Sequence, residues 1–581
     1  MRKYILLLCL IFFIIGNGCR DKKEKKSADS NNKVTQVPLF AKLYPNFDYA
    51  DFHKLLEKKI EKDSILHPLY SVNEYKSVWV NDTVKTSELD EFIQILQYID
   101  IKHGLSTDLF PIESIVSLSD SINSGVYAND MTTLYKKICD LESLSTKAAI
   151  KYITGMTYGF TNPKILFPED YTIEILQADS IFFEKLYADI CNDPISIIKQ
   201  AQPSDNVYKK MQEAYEGLER KKEIELKNIE NKGLNFTYKL GDKNQNITAI
   251  AERLTILGDY QMDSIGNDSL GMVLDENLLA SVNAFRKRIS YPEDKEIGSL
   301  TIDALNRPIE YYQDRLKANM ERYRWKRKKQ KEAKNIEVNV ASFKVIATQP
   351  DSIPLIMKAC VGSITNKTPL LQSDISYLNL NPIWNVPTSI AKNEISVSQK
   401  KDETYLKRHN MKLYKNGQEV DPETIDWSKV NPNKFGYTIR QSAGGGNSLG
   451  RIKFMFNNSF SVYLHDTPAK SAFGRKNRAV SHGCIRLEQP INFAFFCLSP
   501  VTDIYKDRLL ISIDKPPVST EGKRLLRENK LSKLPDIINP KEKISLFIDY
   551  YTIYMHPNED MLYYADDVYG YDELILKAVN L

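Results

Sequence analysis

The chain has 581 residues and nearly balanced charge, with 79 lysine and arginine residues against 75 acidic residues. A single hydrophobic core does not grow to this length, so we expect about three domains. The net charge of +4 lacks the basic excess typical of nucleic-acid-binding proteins. The basic run over residues 322–334 is interpreted as a solvated connector, and no nucleic-acid partner is expected.

The first residues have the features of an export signal. A basic start precedes an apolar run over residues 5–15, which is too short to span a bilayer, and small residues then lead to Cys19. We predict a signal peptide over residues 1–18 and a flexible tether over residues 19–37. The segment resembles a bacterial lipoprotein signal, with Gly16 where leucine is usual. That resemblance implies a lipid on Cys19, a membrane anchor and a periplasmic location; an ordinary signal peptide is the alternative.

Export affects how the cysteines after the tether are interpreted. They are Cys139, Cys191, Cys360, Cys484 and Cys497. An odd number of cysteines in an oxidising compartment predicts at least one free thiol, and Cys484 is the candidate. The other four are either buried single cysteines or disulfide partners. A bridge between Cys484 and Cys497 is conceivable and would inactivate the thiol.

Residues 38–240 have a helical pattern. Apolar residues such as Ile93, Leu96 and Ile99 recur at helix-like spacing among acidic residues and lysines. No pair of acids or histidines there indicates chemistry. The pattern predicts a mostly helical domain without a catalytic role.

A small unit follows over residues 245–310. A first helix is closed by Gly258, a second carries apolar residues over 278–289, and a third follows near 297–306. This pattern resembles the three-helix peptidoglycan-binding module. Its apolar positions would form a core whatever the unit binds, so wall binding is a separate hypothesis. Residues 311–334 are predicted to be a linker.

From residue 336 the apolar period changes to alternation, which predicts strands joined by hairpins. Residues 391–440 are longer and more charged than a connection between strands needs, and long loops are often functional lids. A glycine-rich run over 444–450 lacks the lysine of a phosphate-binding loop. Arg451, which follows it, is a candidate for binding an anionic group.

Residues that can carry chemistry concentrate around Cys484. His465 and His482 precede it at short range, in a chain with seven histidines and seven cysteines. A neighbouring imidazole is the usual means of converting a thiol into a nucleophilic thiolate. Gly483 permits a tight turn, so the amides of Gly483 and Cys484 could face a developing oxyanion. The segment predicts a nucleophilic active site.

Three other interpretations of this segment fit less well. A free cysteine is often simply a buried core residue. A zinc site would use His465, His482, Cys484 and Asp466, but it lacks the closely spaced ligand pairs of structural zinc sites. In papain-like proteases the cysteine precedes its histidine by a long interval, whereas here the histidine comes first.

The same segment resembles the L,D-transpeptidases, whose catalytic unit is called the YkuD domain. The matching positions are His465, Ser481, His482, Gly483, Cys484, Ile485 and Arg486. The resemblance implies that Cys484 is the nucleophile and His465 its general base. It also implies an oxyanion hole at the amides of Gly483 and Cys484, with Ser481 and His482 shaping the site.

The resemblance extends to the large multidomain members of that family. It implies a helical scaffold domain over 38–240, a peptidoglycan-binding-like module over 245–310 and a mainly β catalytic domain over 335–581. The resemblance further implies a capping subdomain inserted at about 391–440. The candidate substrate-binding residues are Trp384, Tyr463, Arg451 and Arg486.

The implied activity is the formation of 3→3 peptidoglycan cross-links on tetrapeptide stems, through a cysteine acyl-enzyme. The expected partners are stem peptides and glycan, and no cofactor or metal is expected. Two alternatives stay open at this stage. One is an L,D-carboxypeptidase, in which water replaces the acceptor amine. The other is a non-enzymatic lipoprotein that anchors the wall.

Overall fold

The computed structural model describes residues 39–81, 83–262, 270–327, 333–431 and 434–579. The predicted signal peptide and tether, with Cys19, lie outside the described residues. Within these ranges, no helix combines the length and the apolar character that crossing a membrane requires.

Helices form the N-terminal part of the chain, as the sequence predicts. They are α1 (Leu39–Leu43), α2 (Tyr49–Ile60), α3 (His67–Val72), α4 (Thr86–Gln97), α5 (Ile99–His103), α6 (Ile112–Asn123), α7 (Met131–Tyr158), α8 (Pro163–Leu166), α9 (Ser180–Ile190), α10 (Pro194–Gln200) and α11 (Asn206–Glu219). The long helix α7 is buried along much of its length. Its buried Glu142 accepts hydrogen bonds from the Tyr70 hydroxyl at 2.6 Å and from the Trp79 amide at 3.0 Å. These bonds satisfy a carboxylate that would otherwise be costly to bury.

Next comes a small unit, which we call the three-helix unit (residues 237–305). Its elements, with the helix that follows, are β1 (Thr237–Tyr238), β2 (Lys243–Asn244), α12 (Gln245–Leu257), β3 (Met272–Val273), α13 (Glu276–Arg288), β4 (Ile297–Gly298), α14 (Ser299–Leu305) and α15 (Ile309–Arg324). The strands pair in two short antiparallel ribbons, β1 with β4 and β2 with β3. Gly258 ends α12 with φ of 86°, a conformation that favours glycine. Binding of the wall by this unit stays a prediction.

The predicted solvated connector is wrong where the structure describes it. Arg322 and Arg324, in α15, are 3% and 1% exposed. Arg322 pairs with Asp572 at 2.5 Å, and Arg324 pairs with Glu321 at 3.0 Å. A buried charge needs such a partner. Arg322 holds α15 against the C-terminal domain, whereas Arg324 also donates to the His103 carbonyl at 2.8 Å and so connects α15 to the helical domain. The charge run alone could not reveal partners that lie far along the chain.

The C-terminal domain is mainly β. Its elements in chain order are β5 (Lys334–Asn339), β6 (Lys344–Thr348), β7 (Leu355–Gly362), β8 (Leu371–Leu380), β9 (Trp384–Asn385), α16 (Thr388–Ile390), a π-helical turn (Ala391–Ile395), α17 (Ser396–Lys401), α18 (Tyr405–Arg408), β10 (Met411–Lys415), β11 (Gln418–Val420), β12 (Thr438–Gln441), β13 (Ile452–Phe456), β14 (Leu464–His465), β15 (Ala479–Ser481), β16 (Ile485–Leu487), α19 (Pro490–Leu498), α20 (Asp503–Ser512), α21 (Thr520–Arg527), β17 (Ile537–Ile538), β18 (Ile544–Asp549), β19 (Ile553–Tyr554), β20 (Tyr563–Tyr564) and α22 (Tyr571–Val579).

The main sheet of this domain closes on itself. Its strand order is β13-β14-β16-β7-β6-β5-β18-β8-β17, and β8 pairs with β13 as well. The two ends of β8 pair with different strands: residues 371–374 pair with β18, and residues 375–380 pair with β13. In this order β14, which carries His465, is the direct neighbour of β16, which begins immediately after Cys484.

A separate subdomain, which we call the cap (residues 384–441), is inserted between β8 and β13. Its four strands have the order β11-β10-β12-β9. They pack with α16–α18 around a small core of their own, which consists of Val386, Ala391, Ile395, Leu406, Met411, Leu413, Trp427 and Ile439. The cap begins before the predicted boundary at residue 391, because β9 supplies its edge strand through pairing with β12.

Candidate active site

Neighbouring parallel strands bring the predicted nucleophile and base together. In the pairing of β14 with β16, Leu464 lies opposite Ile485 and His465 opposite Arg486. The Ile485 amide donates a 3.0 Å hydrogen bond to the carbonyl of Tyr463. Cys484 immediately precedes β16, so this register sets it beside Tyr463 and next to the strand that carries His465.

His465 is held as an oriented, neutral base. It is 4% exposed, and its Nδ1 lies 2.5 Å from the main-chain oxygen of Asp466. A carbonyl oxygen only accepts, so Nδ1 carries the proton and Nε2 is left to act as the base. Burial, assisted by the positive charge of Arg486, lowers the pKa of His465 to about 3. The imidazole is therefore uncharged at neutral pH.

Cys484 is a protonated thiol in the resting site. Burial raises its pKa above the ordinary value. Hydrogen bonds from Tyr463 and the charges of Lys453 and Arg486 oppose that rise without reversing it. The site thus holds a neutral thiol beside a neutral imidazole, so a thiolate must form by proton transfer as the thiol attacks.

A tight turn, which we call the catalytic turn (residues 481–484), fixes the position of Cys484. The Ser481 hydroxyl donates to the Cys484 carbonyl at 2.6 Å and accepts from the Gly483 amide at 3.2 Å. Gly483 has φ of 105°, which side chains disfavour. The Thr368 hydroxyl donates to the Gly483 carbonyl at 2.8 Å.

The hydrogen bonds of the catalytic turn determine which main-chain amides can form the expected oxyanion hole. The Gly483 amide is already directed at Ser481, whereas the Cys484 amide has no acceptor among the described residues. Of the two amides expected from the sequence, only that of Cys484 is therefore free to meet a substrate oxygen in this structure. Ser481 stabilises the turn through the two hydrogen bonds of its hydroxyl.

His482 faces the cap. It is exposed, and its Nε2 lies 2.5 Å from Oε1 of Glu394, in the π-helical turn of the cap. The side chain therefore links the catalytic turn to the subdomain above it. Because the two residues are 88 positions apart in the sequence, sequence analysis did not predict this contact.

Lys453 belongs to the site, although sequence analysis did not single it out. In the antiparallel pairing of β13 with β14, Lys453 lies opposite His465. Its Nζ is 3.8 Å from the centroid of the Tyr463 ring. Burial lowers its pKa, and the nearby thiol of Cys484 opposes that change. The available signal was a lone lysine in the otherwise apolar strand 452–456.

The other predicted binding residues have different environments. Trp384 packs against the core of the cap. Burial raises the pKa of Tyr463, Cys484 raises it further and Trp384 opposes the rise, so the Tyr463 hydroxyl lies near both residues. Arg486 has a buried Nε without a partner, and within the described residues no carboxylate pairs with it. Arg451 differs, because it already pairs with Asp514 at 2.6 Å. The expectation that Arg451 binds an anionic stem is therefore not supported.

The remaining cysteines are single buried thiols. Cys139, Cys191, Cys360 and Cys497 are all buried and unpaired, and Cys484 is also free. The conceivable bridge between Cys484 and Cys497 is absent. Across the described ranges, no group of three or more histidine, cysteine or acidic side chains is arranged to hold a metal ion.

The closed sheet places a half-buried thiol and a buried imidazole on neighbouring strand segments, an arrangement suited to nucleophilic cysteine chemistry. Residues 333–505 match the family model of the L,D-transpeptidase catalytic domain, YkuD, and residues 64–214 match that of a scaffold domain. The chain therefore contains an L,D-transpeptidase catalytic domain and a scaffold domain.

Individual relatives resemble parts of the chain. A Haemophilus influenzae protein described as "Putative L,D-transpeptidase" is 33% identical over 223 residues, which are 36% of this chain and 45% of that protein. The match thus spans less than half of that relative.

Solved structures show more distant likeness. An L,D-transpeptidase from Mycobacterium smegmatis is 14% identical, covering 28% of this chain and 54% of its own, with a TM-score of 0.16. L,D-transpeptidases from Xylanimonas cellulosilytica and Stackebrandtia nassauensis are 12% and 13% identical. Each match covers 54% of this chain and 98% of the other, with TM-scores of 0.16 and 0.20. Such scores do not define a shared overall arrangement.

Proposed function

We propose that this chain is an exported L,D-transpeptidase that forms 3→3 cross-links between peptidoglycan tetrapeptide stems. The observation that carries the proposal is the half-buried Cys484 thiol at the start of β16, next to the strand that carries a neutral His465 whose tautomer leaves Nε2 free. The protein acts in the periplasm, where a lipid on Cys19 holds it to a membrane.

Acylation of the enzyme comes first. The Cys484 sulfur attacks the carbonyl between the L-centred diamino acid and the terminal D-Ala of a donor stem, while His465 takes the thiol proton. The tetrahedral intermediate then collapses, and His465 gives the proton to the departing amine of D-Ala. A thioester between Cys484 and the shortened stem remains.

Transfer to the acceptor completes the reaction. The side-chain amine of a neighbouring stem attacks the thioester, His465 takes the amine proton, and the sulfur leaves and recovers a proton as the thiol. A new amide joins the two stems, so no oxidant or external energy source is needed.

Other residues bind and orient the substrate. The free amide of Cys484 donates to the oxyanion, and loss of one such donor costs about 3 kcal/mol in comparable sites. Arg486, which has no carboxylate partner among the described residues, binds a stem carboxylate. Trp384 and Tyr463 line the approach between the cap and Cys484.

The products formed from purified disaccharide-tetrapeptide test the proposal. We expect cross-linked dimers and free D-Ala from the wild-type chain and none from Cys484→Ala. Cys191→Ala, which removes a buried thiol of the scaffold domain, is the control and should keep the activity.

Three outcomes would contradict the proposal. Activity retained by Cys484→Ala would remove the nucleophile from the mechanism. Shortened stems without dimers would identify an L,D-carboxypeptidase. Binding to isolated wall without turnover of any stem would identify a non-enzymatic wall anchor.

A further inference from the structure

A second cavity, of about 280 Å³, lies between the three-helix unit and the C-terminal domain. Residues 289–291, just after α13, form one wall. The facing wall consists of residues 341–343 and 476–478, with Asp566 beside them. No residue of the catalytic turn lines it. Its volume is just below the usual range for ligand sites, so it suits a small molecule or the end of a chain.

Positive charge exceeds negative charge around this cavity. Asp566 is shared by two cations, since Arg307 pairs with it at 2.9 Å and Lys476 at 3.3 Å. Arg478 adds a third positive charge to the cavity wall. One carboxylate therefore faces three cations, and the surplus charge favours an anionic ligand.

Arg478 is the most informative of these cations. It is 7% exposed, and its guanidinium donates to four main-chain oxygens: those of Arg475 at 2.9 Å, Ala359 at 3.2 Å, Ser342 at 3.4 Å and Phe343 at 3.5 Å. These oxygens are neutral acceptors and do not balance its charge. Among the described residues, no carboxylate lies within ion-pair distance of it. A buried cation without a counter-ion is costly, and an anion in the cavity would lower that cost.

Tyr291 and Lys476 form the contact across the cavity. The Lys476 ammonium is hydrogen-bonded to the Tyr291 hydroxyl and lies 4.0 Å from the centroid of its ring. Tyr291 belongs to the segment after α13, whereas Lys476 is exposed in the segment that leads into β15. β15 ends at Ser481, the first residue of the catalytic turn. A ligand held here would contact both the three-helix unit and the segment that leads to Cys484.

We propose that this cavity is a second binding site, which takes the carboxylate end of an acylated D-amino acid, as at the end of a wall stem peptide. This choice of ligand rests on the proposed function. The carboxylate would supply the counter-ion that Arg478 lacks, and it would give Lys476 a second anionic contact beside Asp566. The polar side chains of Ser342 and Asn477, on the cavity wall, can bond the amide of the same ligand.

The probes for this site are N-acetyl-D-alanine and its neutral amide, which have the same shape and differ in charge. The protein is the full chain with Cys484 alkylated by iodoacetamide, which blocks the catalytic site. Isothermal titration measures the affinity of each probe. Lys476→Gln removes one cation of the cavity. Lys577→Gln is the control. Like Lys476, Lys577 is exposed and paired with one carboxylate, but it lies on α22 outside the cavity.

We expect the acid to bind at least about tenfold more tightly than the amide, as the loss of a charge-assisted contact implies. Lys476→Gln should weaken binding of the acid by a similar factor, and Lys577→Gln should leave it unchanged. Equal affinity for the two probes, no binding of the acid, or unchanged affinity in Lys476→Gln would overturn the proposal. This binding measurement does not depend on catalytic activity, because Cys484 is blocked. A chain that binds the acid as expected but forms no cross-links would refute the proposed function alone.

Discussion

The protonation state of Cys484 leads to a prediction for its reactivity as pH rises. An ordinary thiol, with a pKa of about 8.5, is roughly one-tenth ionised at pH 7.5. Burial raises the pKa of Cys484, so its thiolate fraction at that pH is smaller. The pKa of His465 is lowered to about 3, so an imidazolium is not available to stabilise a thiolate at neutral pH. Reactivity should therefore keep rising through the neutral range.

Alkylation by iodoacetamide measures this thiolate fraction. The rate at Cys484, followed by mass spectrometry of its peptide, should rise close to tenfold per unit between about pH 6.5 and pH 8, because ionisation well below a pKa changes tenfold per unit. His465→Gln should show nearly the same titration, since the resting histidine carries no charge. A rate that levels off by about pH 7 in the wild type, and shifts to higher pH in His465→Gln, would instead indicate a thiolate–imidazolium pair and refute the reasoning.

Two further predictions concern the surroundings of the site. Lys453→Met removes a positive charge near Cys484, so alkylation should shift to higher pH; an unchanged titration would show that Lys453 does not influence the thiol. Gly450→Ala would place a Cβ 2.3 Å from the Asp466 carboxyl, at φ of +62°. We expect it to destabilise the fold by about 2 kcal/mol more than Gly417→Ala, where φ is +82° but no atom lies within 4 Å. Equal melting temperatures of the two variants would show that the contact with Asp466 has no cost.

The main features of the chain could be predicted from its sequence because they depend on local patterns. The helical spacing before residue 240 and the alternation after residue 336 correspond to the helical and β domains of the structure. The cluster of rare residue types around Cys484 located the candidate site. The neighbouring pairing of β14 and β16 then brings His465 beside it.

The remaining features depend on contacts between distant parts of the chain. The pairing of Arg451 with Asp514 joins residues 63 positions apart, so the sequence suggested a free cation where the structure has an ion pair. The contact between His482 and Glu394 likewise requires the cap to be placed over the catalytic turn. The role of Lys453 depends on the register of β13 against β14, which composition does not determine.

The most direct test of the account is to trap the acyl-enzyme. Purified chain mixed with disaccharide-tetrapeptide is quenched in acid, digested and mapped by mass spectrometry. The account predicts the mass of the shortened stem, without its terminal D-Ala, as a thioester on the peptide that contains Cys484. The adduct should be absent from Cys484→Ala. Cross-linking without any adduct on Cys484, or an adduct on another cysteine such as Cys360, would contradict the account.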